Sequence, residues 1–124
     1  MMRLMICYPK CTTCQKALKW LDDRGIGYVY RNIKEERPTE EELRQWICRS
    51  GLPAQRFFNT SGMLYRSMNL KEKTAAMTDD EKIALLATDG MLVKRPILID
   101  ENGVLAGFRP GEYERMLQRG KEDV

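Results

Sequence analysis

The 124-residue chain contains no histidine. That absence removes Ser/His and Cys/His catalytic dyads and every His-ligated metal site. The chain also lacks an apolar run long enough to cross a bilayer. The apolar stretch in "MMRLMICYPK" is too short and too polar-flanked for a secretory signal, so a cytoplasmic protein with no membrane partner is expected. A dominant charge of one sign is missing too. Lys and Arg number 21 against 18 Asp and Glu, for a net charge of +3. The basic residues are scattered among acids, so direct nucleic-acid binding is not expected. Cysteine is scarce: there are four, and three of them fall within "CYPKCTTC". In a reducing compartment such a cluster points to catalysis or metal binding rather than to a disulfide staple.

What is present fits one globular domain. Leu4–Tyr8 is an apolar run that predicts a buried strand, ended by Pro9. From Thr12 the period becomes helical, with Cys14, Ala17, Leu18 and Leu21 on one face and Gly25 as the stop. Tyr28–Ile33, rich in β-branched and aromatic residues, predicts a second strand, and the crossover length suits a right-handed parallel βαβ unit. Thr39 with Glu42 and Thr78 with Glu81 are capping-box patterns that open two helices, the first ended by Gly51. Pro53 opens a short helical segment through "AQRFF", and "NTSG" marks a turn. No strand is expected from Pro38 to about Gly90. Ile97–Ile99 predicts a buried strand, "DENG" a hairpin turn, and Val104–Phe108 the returning strand. Pro110 starts a last helix with Tyr113, Met116 and Leu117 on its apolar face, and Gly120 is expected to end it. The order β-α-β, helical insert, β-β-α predicts an α/β domain with a mixed four-stranded sheet. This is a thioredoxin/glutaredoxin-like fold, with halves of about 1–37 and 91–120 flanking an α-helical insertion of about 38–90.

Three chemistries compete for the cysteines. Cys7, Cys11 and Cys14 have the C-x3-C-x2-C spacing of an iron–sulfur ligand run in radical enzymes that use S-adenosylmethionine. Those enzymes need a partial barrel that this chain is too short to build, and Cys7 falls in a predicted strand. An all-cysteine zinc site would have to recruit distant Cys48. No metal is therefore expected. A redox pair fits better. Cys11 and Cys14 form C-x-x-C at a strand-to-helix junction, with Cys11 at the helix N-terminus where free N–H groups favour a thiolate, and Cys14 one turn in. One sulfur attacks and the other resolves the mixed disulfide. The inert alternative, a small buried hydrophobe, is the expectation for Cys48 and Cys7.

"YPKCTTCQKAL", "KRPILID" at Lys94–Asp100 and "FRPGEY" at Phe108–Tyr113 resemble the ArsC/Spx family. That family comprises glutaredoxin-dependent arsenate reductases, Spx-type transcriptional regulators and relatives of these. The resemblance spans nearly the whole chain. It implies a thioredoxin-like fold in which Pro96 is the cis-proline facing the active-site cysteine, and it makes Cys11 the nucleophile. It also implies three arginines around that cysteine to bind a tetrahedral oxyanion: Arg95, Arg109 and, by looser similarity, Arg66. This sequence departs from the arsenate reductases twice. Cys7 and Tyr8 stand where those enzymes carry a histidine, and Cys14 adds a second thiol to the loop. The resemblance therefore implies a thiol-based oxidoreductase with Cys11 attacking and Cys14 resolving, acting on an arsenate-like oxyanion or a disulfide. Such an enzyme needs no bound cofactor, only an external thiol donor: glutathione, glutaredoxin or thioredoxin. The alternative is an Spx-type redox-sensing regulator that binds RNA polymerase.

Overall fold

The computed structural model describes residues 3–122. The chain forms two compact units, one from residues 1–32 with 95–124 and the other from Ile33–Lys94.

The first unit is built on a four-stranded sheet. Its strands are β1 (Leu4–Cys7), β2 (Val29–Asn32), β3 (Ile97–Asp100) and β4 (Gly103–Ala106), in the order β2-β1-β3-β4. β1 runs parallel to β2 and antiparallel to β3, which pairs antiparallel with β4. The central strands read as unbroken apolar runs because both of their faces are buried: Met5, Ile6, Cys7, Ile97 and Leu98 are fully inaccessible. Alternation along β1 puts Met5 and Cys7 on one face. There they pack in a single cluster with Leu98 of β3, with Cys14, Ala17 and Leu21 of helix α1 (Thr12–Asp23), and with Tyr113 and Met116 of a C-terminal helix, Pro110–Glu122. The α1 residues recur at i, i+3 and i+7, which is why one helical face supplies them all. The hairpin turn at "DENG" is an Asx turn: Asp100 accepts from the Asn102 amide at 2.8 Å and pairs with the Arg3 guanidinium at 3.5 Å. Those partners stabilise an otherwise costly buried carboxylate. The last helix does not stop at Gly120 but runs to Glu122. A glycine inside a helix costs about 1 kcal/mol, which weakens a helix without breaking it.

The second unit is helical. Helices α2 (Glu40–Ser50) and α5 (Asp79–Leu86) both open on complete capping boxes, Thr39/Glu42 and Thr78/Glu81. Between them lie two short helices, α3 (Met63–Ser67) and α4 (Leu70–Lys73), and 3-10 turns; the C-terminal helix is thus α6. Leu43, Trp46, Phe57, Phe58, Ile83 and Leu86 are buried here. Gly90 allows a close backbone approach, since a Cβ there would collide with the carbonyl of Ile33. Among the described residues this unit holds no strand, but Phe58 and Val93 form an isolated antiparallel bridge, flanked by Asn59 N–H donating to Leu92 C=O and Lys94 N–H to Phe57 C=O. Cys48, expected to be a buried small hydrophobe, is exposed on α2. The buried face of that helix runs through Leu43, Trp46 and Ile47, and one further residue rotates the side chain about 100° away from it.

Candidate functional site: three thiols at the end of the central strand

The end of β1 delivers Cys7 into the core, and the chain then turns through Tyr8-Pro9-Lys10 into α1. Cys11 N–H donates to Tyr8 C=O at 3.0 Å and closes the turn, while the Gln15 amide side chain donates to Pro9 C=O at 2.9 Å. Cys11 is the N-cap of α1, with extended backbone and no side-chain cap bond of its own. The first turn carries no acidic residue, so no carboxylate of that turn offsets the positive end of the helix dipole. Cys11 is half-buried, whereas Cys14 is 1% exposed and Cys7 is fully inaccessible.

Cys7 and Cys14 share one core cluster, Cys11 packs against it, and both of the other thiols act on Cys14. The Cys14 thiol is lowered from an ordinary 9.0 to about 6. The largest cause is the hydrogen bond from the Cys7 S–H; the Tyr8 backbone N–H, the Cys11 S–H and the Arg95 charge act the same way, against an opposing push from burial. The Cys7 thiol moves the other way, strongly up. It gives its proton to the bond with Cys14, it is buried, and the other two sulfurs repel a negative charge on it. The cluster thus favours one thiolate, on Cys14, held by thiol donors.

Arg95 is half-buried, with its guanidinium 5.4 Å from the centroid of the Tyr8 ring, a cation–π geometry. The Arg95–Pro96 peptide bond is cis. Pro96 C=O accepts from Gly107 N–H at 2.7 Å, and Gly107 C=O accepts from the buried Tyr113 hydroxyl at 3.0 Å. Gly107 adopts φ +87°, a conformation other residues rarely take, so this relay needs glycine. The Tyr113 ring also meets Phe108 and Trp20 edge-on, at 5.0 and 5.9 Å between centroids. Its phenol is pushed up, chiefly by burial, and so remains a hydrogen-bond donor.

Of the three arginines expected around the thiols, Arg95 has a charge that acts on Cys14. Arg109 is exposed ahead of α6, with Nε 3.9 Å from a Glu112 carboxylate oxygen. Arg66 is exposed on α3, within the second unit. Cys7 is a thiol for which the sequence predicts no chemical role. It is buried as expected, yet it is a direct partner of Cys14. The signal was the period of two in β1, which puts Cys7 on the Met5 face and so toward α1. Among the described residues no group of three or more His, Cys, Asp or Glu side chains is arranged to hold a metal ion. A cleft of about 710 Å³ lies elsewhere in the same unit, lined by residues including Arg3, Trp20, Arg24, Asp100 and Leu117, and none of the thiols borders it.

The mixed four-stranded sheet, the cis-proline and the C-x-x-C at the start of α1 define a thioredoxin-like protein. More narrowly, the ArsC family model matches residues 7–116, and the chain belongs to the ArsC family. It is 50% identical to the uncharacterized protein YusI of Bacillus subtilis, over 86% of this chain and 91% of that protein. It is 30% identical to the regulatory protein MgsR of Bacillus subtilis (90% and 87% covered) and to the global transcriptional regulator Spx of Staphylococcus haemolyticus (90% and 83%). Among solved structures it resembles an ArsC family related protein from Bacteroides fragilis, with TM-score 0.90, 52% identity, and 94% and 99% of the two chains covered. It also resembles a possible arsenate reductase from Streptococcus mutans UA159, with TM-score 0.82, 41% identity, and 91% and 98% covered.

Proposed function

We propose that this protein is a cytoplasmic thiol–disulfide oxidoreductase in which Cys11 attacks and Cys14 resolves. The carrying observation is the pairing of a half-exposed Cys11 with a buried Cys14 that favours the thiolate. Cys11, at the N-cap, is the sulfur a substrate can reach. Its S–H donates to Cys14, so Cys14 is placed to take that proton as Cys11 attacks a disulfide R–S–S–R′. The Cys11–S–S–R bond forms and R′S⁻ leaves. Cys14 passes that proton to the departing R′S⁻ and attacks the Cys11 sulfur, RS⁻ leaves, and two electrons have passed from the dithiol to the substrate. An external thiol, namely glutathione, glutaredoxin or thioredoxin, reduces the Cys11–Cys14 disulfide and closes the cycle.

A disulfide fits the site better than arsenate. The second thiol supplies resolution within the loop, as exchange with a disulfide requires. The test is reductase turnover with glutathione disulfide or arsenate, each with the three donors. Turnover with the disulfide, abolished in Cys11→Ser, is expected, and Cys14→Ser should trap a mixed disulfide on Cys11. Turnover with arsenate alone would move the substrate to the oxyanion class. Failure to form any Cys11–Cys14 disulfide would overturn the reading.

A second reading draws on the similarity to MgsR and Spx: the same redox pair gates binding to RNA polymerase. Binding that differs between reduced and oxidised protein supports it, and equal binding in both states removes it.

A further inference from the structure

Cys14 has two sulfur partners, and the cycle above uses only one. Cys7 lies at the end of β1 and Cys14 in the first turn of α1, both inside one core cluster, with Cys11 packed against it from the outer side. Cys14 thus packs with Cys7 on its core side and Cys11 beside it, and both act on its thiol. A sulfur flanked in this way can be bonded to either neighbour. We propose that Cys7 is a third redox-active thiol, which takes Cys14 from the Cys11–Cys14 disulfide and holds the oxidation as a buried Cys7–Cys14 disulfide. The proposal rests on the Cys11–Cys14 pair being redox-active.

The exchange needs no outside oxidant. The Cys7 sulfur attacks the Cys14 sulfur, the Cys7–Cys14 bond forms, and the Cys11–Cys14 bond breaks. The proton lost by Cys7 ends on Cys11, and the two-electron oxidation moves from Cys11 to Cys7. Cys7 is a poor nucleophile while Cys14 is a thiolate, because the hydrogen bond between them is the main force holding its proton. In the Cys11–Cys14 disulfide that negative charge is gone and the main obstacle goes with it. Burial remains, so the exchange is slow compared with attack by an exposed thiol.

The two disulfides differ in who can reach them. Cys11–Cys14 has a half-exposed member that a donor thiol can attack. Cys7–Cys14 has members at 0% and 1% exposure, closed to any external thiol. It is reduced only after Cys11 attacks Cys14 in reverse and re-forms the outer bond. Cys11 is thus a gate as well as a nucleophile, and the protein can stay oxidised while Cys11 is a free thiol.

The sequence makes the test simple. Trypsin cuts after Arg3, Lys10 and Lys16, releasing "LMICYPK" with Cys7 and "CTTCQK" with Cys11 and Cys14. A Cys11–Cys14 disulfide stays within one peptide, and a Cys7–Cys14 disulfide links two. The reduced full-length protein is oxidised with excess glutathione disulfide, freed of it, and held under native conditions with iodoacetamide. Samples are taken over time, unfolded in acid, digested and read by mass spectrometry. Cys48, exposed and capped by glutathione during the oxidation, takes no part in the labelling. The expected result is an early intrapeptide disulfide, replaced over time by the linked pair carrying the label on Cys11. In Cys7→Ser, Cys11 should stay unlabelled throughout; if that variant does not fold, the wild-type time course decides alone. An intrapeptide disulfide that persists, with Cys7 remaining a free thiol and Cys11 never labelled, overturns the proposal and leaves the redox pair standing. No intrapeptide disulfide at any time overturns the pair itself, and the proposal with it.

Discussion

Lowering the Cys14 thiol from 9.0 to about 6 makes the stability of the reduced protein depend on pH in a defined window. At pH 7 a group with a pKa of 6 is about nine-tenths thiolate, against about one-hundredth for an unperturbed thiol at 9.0. Because the folded value is the depressed one, the stabilisation is present in full above the unfolded value. It is lost as pH falls through about 6, where the folded thiolate takes up its proton. Between those limits the unfolded chain binds one more proton than the folded chain, so stability rises with pH by about 1.4 kcal/mol per unit. Integrated from pH 6 to pH 8, the gain is about 2 kcal/mol. Cys7 opposes it only above the ordinary thiol range, where an unfolded Cys7 ionises and the folded one, pushed up, does not. Urea unfolding of the reduced protein at pH 6, 7 and 8, beside Cys14→Ser at the same pH values, isolates the effect. Thiolate absorbance at 240 nm gives the titration directly. The difference between the two proteins should grow with pH, and oxidation to the Cys11–Cys14 disulfide should erase it. Parallel pH profiles for the two proteins, or a first thiol titrating only near 9, would refute the proposed hydrogen bonding around Cys14.

Arg95→Leu should raise the Cys14 titration midpoint by less than Cys7→Ala does, since the charge acts more weakly than the hydrogen bond; the same absorbance titration ranks them. Thr39→Ala and Thr78→Ala each remove a capping box and should each cost about 1 kcal/mol in urea unfolding. Gly90→Ala should cost about 1–3 kcal/mol, because the added methyl meets backbone rather than a movable side chain. Tyr113→Phe removes the buried hydrogen bond to Gly107 and leaves that carbonyl without this donor. A loss of about 1 kcal/mol is expected, measured as a lower urea midpoint.

Most elements were legible because their signals are local. Thr39 with Glu42 marks a helix start within four residues, and Cys14, Ala17 and Leu21 mark a buried face within eight. The positions of Cys11 and Cys14 at the helix start followed from the same short-range pattern. Cys48 was misread although its helical phase was available, since Leu43, Trp46 and Ile47 already fill the buried face. The Phe58–Val93 bridge was beyond reach: it joins residues 35 apart in sequence, and nothing in either neighbourhood names the other. The bond between Cys7 and Cys14 was hidden for a similar reason. It depends on how α1 packs against the end of β1, in a cluster that also holds Leu98, Tyr113 and Met116 from the far end of the chain.

The sheet of the first unit takes β1 and β2 from the beginning of the chain and β3 and β4 from near its end, and this has a consequence during synthesis. From Cys14 to Leu98 the ribosome must add 84 residues, which takes about 4–17 s at ~5–20 residues per second. Until then β1 lacks its antiparallel neighbour, and Cys7 and Cys14 lack the side chains that later seal them. The three sulfurs therefore pass through every nascent molecule as accessible thiols. For those seconds the redox state of the surroundings, rather than the fold, decides whether they stay reduced.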